Sequence, residues 1–230
     1  MRVIRNPRPY FITTAILGWA GTGLRVVHDL YVAPGTHTAV AGLYGPYRAG
    51  LEGGLQQVGD DLSYFTHWSN IAIALTWTLL ALNPTRDTPL FRAGRNTALL
   101  MITMTGILYA ALIAPTANVV GWFDNTTNVI IHYLNPPLAL VVWALCGPRG
   151  WLTWRTAWKM YLVPLVFLAF TLIRGAITHR YPYAFFNVVH LGYAPVLTSM
   201  ATIIVEALVI IALFIAIDQR LSRRQSVAAA

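Results

Sequence analysis

Twelve of the sixteen Lys and Arg residues fall into four clusters that alternate with the gaps between six long apolar stretches. The clusters are Arg2/Arg5/Arg8, Arg86/Arg92/Arg95, Arg149/Arg155/Lys159 and Arg220/Arg223/Arg224. The apolar stretches are 11–31, 63–82, 97–115, 127–146, 158–176 and 196–217. At ~1.5 Å per helical residue, each is about long enough to cross a ~30 Å hydrocarbon layer. Positive residues are retained on the cytoplasmic side of a membrane. All four clusters can lie there only if the chain crosses six times, which places both termini inside, in the cell membrane. The expectation is an all-α polytopic protein: one six-helix transmembrane domain over 1–230, ending in a basic cytoplasmic tail, 218–230. Residues 32–62, 116–126 and 177–195 then lie outside.

Composition points the same way. Hydrophobic residues make up 57% of the chain and charged ones 10%, against about 25% charged in an average soluble domain. The net charge of +8 is therefore read as a topology signal and not as nucleic-acid binding. The basic-then-apolar N-terminus also describes a signal peptide. Its apolar run is long, however, no small-x-small cleavage site ends it, and Arg25, His28 and Asp29 follow; it is expected to be a retained first span. The single Cys146 permits no internal disulfide. Residues 32–62 carry seven glycines and could cover the outer mouth of the bundle. No inverted repeat of the transporter kind is visible.

Polar groups within a bilayer cost free energy, so their placement is the best functional signal. His28, His37, His67, His179 and His190 fall in outer loops or outer span ends, and His132 lies about a turn and a half inside span 4. None is on the cytoplasmic side, which points to one site in the outer half of the membrane. Ser63, Thr66, His67 and Asn70 recur at i, i+3, i+4, i+7 and share a helical face; Asn128, His132 and Asn135 repeat the device in span 4. Both spans run inward, so Thr66 and His132 each lie roughly 8–9 Å below the outer edge. A hydroxyl and an imidazole at one level are the minimum for an activated nucleophile. Interhelical hydrogen bonds of ~0.6 kcal/mol each are the competing account of both faces.

Five further positions follow from the same rule. Arg25 and Asp29, at i, i+4, suit an interfacial ion pair, and His28 could join the site. Arg174 suits either snorkelling to headgroups or a ligand carboxylate. Glu206, near the middle of span 6 with Thr198 and Thr202 on its face, must be neutral, paired or beside a wet cavity.

Short motifs then carry a resemblance. Tyr64-Phe65-Thr66-His67-Trp68-Ser69-Asn70, His132-Tyr133-Leu134-Asn135-Pro136-Pro137 and Tyr181-Pro182-Tyr183-Ala184-Phe185-Phe186 resemble the androgen-induced protein family. Its vertebrate members are six-span membrane threonine hydrolases of fatty-acid esters of hydroxy fatty acids, and the chain looks like a prokaryotic relative. The resemblance implies Thr66 as nucleophile and His132 as its base, a lipid ester as substrate and no cofactor. Asn187 stands where relatives often carry an acid. On the chemistry of the residues, Asn70, Asn128 and Asn135 are candidate donors to an oxyanion, and Arg174 or Arg25 could hold a substrate carboxylate.

Two other classes stay open. His28, His67, His132 and His190, with Asp29 or Asp124, could bind zinc or haem, although no two histidines stand at i, i+4. Glu206 would suit a lipid-binding or transport protein. The natural lipid and the oligomeric state are not legible.

Overall fold

The computed structural model describes residues 6–31, 40–117, 119 and 121–229, with side chains as far as Arg223. Arg2, Arg5 and His37, and the side chain of Arg224, lie outside the described residues. The described residues are all-helical in their regular structure. In order it forms α1 (Arg8–Tyr31), α2 (Leu51–Asp61), α3 (Phe65–Leu82) and α4 (Pro89–Leu108), which runs on through a wide π-turn at Tyr109–Ile113. Next come α5 (Trp122–Asn128), a second π segment (Val129–Leu134) and α6 (Asn135–Cys146), forming one continuous rod. The short α7 (Trp154–Ala157) leads through a 3-10 turn into α8 (Leu162–Thr178), and α9 (Val188–Leu191) precedes the long α10 (Tyr193–Ala229).

Four of these rods are long and apolar enough to cross a membrane: Pro89–Ile113, Trp122–Cys146, Trp154–Thr178 and Tyr193–Arg223. Their outer faces carry Val166, Ile173, Val205 and Leu213, each more than half exposed, an apolar surface compatible with lipid. The other two expected spans, α1 and α3, are helices of 24 and 18 residues. Their apolar character is diluted by the polar residues they turn inward, Thr14, Thr22 and Asp29 in one, Thr66, His67, Ser69 and Asn70 in the other.

Side-chain contacts give the directions. Arg8 Nε donates to the Ala81 carbonyl, while Arg25 Nε reaches Asp61, so α1 and α3 run antiparallel. Ser69 meets Thr105 and Arg95 meets Pro148, so α4 opposes both α3 and the α5–α6 rod. Leu152 meets Asp218 and Tyr161 meets Ile204, so α10 opposes α8. Six long helical segments therefore alternate in direction among the described residues. Arg8, Arg95 and Arg149 gather at one end; Arg25, Arg174, α2 and the 180s gather at the other.

The centre of the bundle is α4, in which every residue from Arg95 to Thr105 is buried, as expected of a helix surrounded on all sides. The close approach of α1 to α3 and to the α5–α6 rod requires small residues. A Cβ on Gly18 would stand 2.8 Å from that of Ala74, and one on Gly21 would stand 2.5 Å from Ile131. Small residues at helix contacts let backbones approach when hydrophobicity alone gives little drive.

Several boundaries differ from the expected ones. Helix α4 starts eight residues ahead of its apolar stretch, where Thr88 Oγ1 accepts from Phe91 N. The segment expected as a glycine-rich loop contains α2. Gly54 is tolerated there because a Cβ would meet the Asp29 carbonyl at 2.8 Å, so the glycine lets α2 lie against α1. Ser63 precedes α3 and donates to Gly59 O, so it caps the end of α2 and does not continue the polar face of α3.

Candidate functional site

The expected polar faces of α3 and the α5–α6 rod meet. Thr66 Oγ1 lies 3.2 Å from His132 Nε2. On the far side of the ring, His132 Nδ1 lies 2.7 Å from Asn128 Oδ1. An amide oxygen can only accept, so Nδ1 carries the proton and Nε2 presents its lone pair to the threonine hydroxyl. Asn128 is itself oriented, its Nδ2 donating to Tyr109 Oη at 2.7 Å. The Tyr109 ring stacks on the imidazole with centroids 3.7 Å apart and planes 15° apart.

Local backbone explains how the sequence builds this. Pro136 has no N–H to give the His132 carbonyl, and its ring crowds that carbonyl. The helix widens to π-turns over Val129–Leu134 just before the prolines, and Tyr109 begins the facing π segment. Such bulges are frequent at functional sites because they re-aim side chains. Pro136 also packs where Gly106 leaves room, since a Cβ there would come within 2.9 Å of it.

Thr66 opens onto an apolar groove among α3, α4, α8 and α10, lined by residues that include Leu108, Phe167, Leu168, Phe186 and Ile203. Tyr183 and Phe185 line the same groove. Tyr183 Oη accepts the N–H of Phe65 at 3.0 Å, and it also lies in hydrogen-bonding reach of the Thr66 side chain. Burial pushes the Tyr183 phenol up to about 12, against the hydrogen bonds that favour its ionised form. It is therefore neutral and keeps a proton to donate.

The other candidates take different places. Asn70 gives both amide protons to backbone carbonyls, those of Thr66 (2.8 Å) and Ile131 (3.3 Å). Asn135 Nδ2 donates to Asn70 Oδ1 at 2.7 Å and to the Leu17 carbonyl at 3.5 Å. Neither retains a free donor for an oxyanion; together they tie α1, α3 and α6. Asn128 is occupied with His132 and Tyr109. His67 is buried beside Thr66, and its Nδ1 has no hydrogen-bond partner.

Arg25 and Arg174 are held by carboxylates of the protein. Arg25 Nε is 2.7 Å from Asp61 and 3.2 Å from Asp29, and its Nη1 is 2.5 Å from Asp124. Arg174 and Arg180 share Asp60, at 2.5 and 2.9 Å, and Arg174 lies over the Tyr44 ring. His28 stacks on Phe123. Asn187 bonds the Ala41 carbonyl and accepts from His190 N, latching the 180s segment to residues 41–44. The His190 ring is exposed.

Glu206 is half-buried with Oε1 unpartnered. Thr198 and Thr202 donate to carbonyls of their own helix, not to the glutamate. Among the described residues no group of three or more His, Cys, Asp or Glu side chains converges as metal ligands would, so His28, His67, His132 and His190 do not assemble into a zinc shell. Reasoning from spacing alone missed Tyr109, Tyr183, Asp60 and Arg180. Tyr183 had one signal, its place in the Tyr-Pro-Tyr stretch. No family model, curated protein or solved structure matches the chain.

Proposed function

We propose that this protein is an integral-membrane hydrolase of lipid esters with Thr66 as nucleophile, His132 as general base and Asn128 as the group that orients the base. The observation that carries the reading is the hydroxyl–imidazole–amide chain, with Thr66 Oγ1 at 3.2 Å from His132 Nε2 and Asn128 at 2.7 Å behind it, and with Thr66 lining an apolar groove. It follows the general logic of a nucleophile, a base and a third group that fixes the base. The groove takes the acyl chain and brings the ester carbonyl to Thr66. His132 Nε2 removes the hydroxyl proton as Oγ1 bonds to the carbonyl carbon. The tetrahedral intermediate collapses, the leaving alcohol takes the proton from Nε2, and an acyl-threonine remains. Water attacks it with His132 again as base, releasing the fatty acid and restoring Thr66.

In this reading all six alternating helices cross the bilayer, α1 and α3 included, with both termini and the arginine clusters in the cytoplasm and the site open to the outer leaflet. Resemblance to the androgen-induced protein family points to fatty-acid esters of hydroxy fatty acids as the substrate class. With Arg25 and Arg174 both paired to aspartates, a free carboxylate on the substrate is not required. The test is hydrolysis of a hydroxy-fatty-acid ester by purified protein, with covalent labelling by an alkyl fluorophosphonate. Loss of both in Thr66→Ala and His132→Ala protein is expected; full activity in either variant refutes the reading.

A further inference from the structure

We propose that the Tyr183 hydroxyl donates the hydrogen bond that stabilises the oxyanion at Thr66, a proposal that rests on the hydrolase reading. Three observations carry it. First, the three asparagines that spacing offered as donors are committed elsewhere: Asn70 and Asn135 have both amide protons on protein acceptors, and Asn128, bonded to Tyr109, lies on the side of the His132 ring away from Thr66. Second, Tyr183 lines the groove together with Thr66. Third, its oxygen is an acceptor for the Phe65 N–H at the first turn of α3.

The third point is the physical core. The unbonded N–H groups of a helix N-terminus carry partial positive charge. An N–H held on the phenol oxygen draws electron density from it and makes its own O–H a stronger donor. The phenol thus passes the field of the α3 N-terminus on to a carbonyl oxygen beside Thr66. In the reaction, the carbonyl π pair moves onto oxygen as the Thr66 Oγ1–carbon bond forms, and the Tyr183 O–H bonds to that oxygen without giving up its proton. When the intermediate collapses the pair returns to the carbonyl and the bond relaxes. His132 remains the only group that transfers a proton.

Tyr183 is rigidly placed for this role. Its ring stacks on Phe185 at 5.0 Å and meets Tyr64 edge-on at 5.3 Å. The preceding residues pair with the first outer segment, Tyr181 N donating to Gly42 O and Tyr44 N to Tyr181 O.

The test compares wild-type, Tyr183→Phe and Tyr181→Phe proteins on p-nitrophenyl decanoate, with a decyl trifluoromethyl ketone as a mimic of the oxyanion. Removal of one oxyanion donor costs about 10²–10³ in kcat. The expected result is a loss of that order for Tyr183→Phe with KM nearly unchanged, an equal weakening of ketone inhibition, and near-wild-type behaviour for Tyr181→Phe. A merely structural role would lower folding stability and raise KM without singling out the ketone. If Tyr183→Phe does not fold, a series of fluorotyrosines at 183 replaces it, and kcat is expected to vary with phenol acidity. Tyr183→Phe within threefold of wild type, or a flat fluorotyrosine series, overturns the proposal and leaves the hydrolase reading standing. A wild-type protein that neither turns over the ester nor labels at Thr66 removes the hydrolase reading, and this proposal with it.

Discussion

Replacing Asn128 by Leu, a side chain of similar volume with no amide, removes the nitrogen that donates to Tyr109 and, of more consequence for the base, the oxygen 2.7 Å from His132 Nδ1. With the acceptor gone, the Nδ1–H tautomer holds an unsatisfied proton in a part-buried site, a penalty of about 1–3 kcal/mol. The ring escapes by moving its proton to Nε2, where it would donate to Thr66 Oγ1 and could no longer accept its proton. That penalty becomes the free energy by which the reactive tautomer is disfavoured. At RT ≈ 0.59 kcal/mol the expected fall in kcat is about 5- to 150-fold. Asn128→Asp keeps an oxygen for Nδ1–H and is expected to retain more activity than Asn128→Leu. The assay is ester turnover beside the rate of fluorophosphonate labelling at Thr66, each with a thermal unfolding curve in the same detergent. Asn128→Leu with kcat within twofold of wild type, or Asn128→Asp no better than Asn128→Leu, refutes the argument that Asn128 sets the tautomer.

Three further outcomes are expected. Asp60→Asn leaves Arg174 and Arg180 without their shared carboxylate. Breaking a buried pair costs 3–5 kcal/mol; the arginines are about a quarter exposed, so about 2 kcal/mol is expected, seen as a lower unfolding midpoint. Arg174→Ala should reduce turnover of neutral and carboxylate-bearing esters equally, because the arginine is committed to Asp60; selective loss of the acidic substrate would restore it as a ligand for the substrate carboxylate. The raised Tyr183 phenol gives a pH dependence: its contribution to stability is fully present below the ordinary tyrosine range near 10 and is lost as pH rises through about 12. Unfolding midpoints measured from pH 9 to 12 should therefore fall less steeply in Tyr183→Phe than in wild type.

Much of the candidate site was legible because it rests on local periodicity. Thr66 and His132 each sit a fixed number of residues from the start of an apolar run, and helical rise converts that number into a depth. Asn128 follows from His132 by one helical turn. The widening to π-turns around His132, just ahead of Pro136 and Pro137, was visible only in the folded chain. The same reasoning misassigned what depends on partners. Asn70 and Asn135 share a face with Thr66 and His132, but which atom an amide proton meets depends on the approach of a third helix, here α1 through the Leu17 carbonyl.

The apolar stretches and the alternation of arginine clusters therefore determined by themselves that the chain is a set of long helices and which ends carry positive charge, since both follow from residue counts along one axis. Only tertiary structure decided that Tyr183 reaches the first turn of α3 across 118 residues of sequence, that Arg174 and Arg180 converge on Asp60, and that α4 is the buried centre. Those contacts depend on the rotation and crossing of helices far apart in the chain. Close packing at Gly18, Gly21 and Gly106 sets these rotations, and no single helix's periodicity contains them.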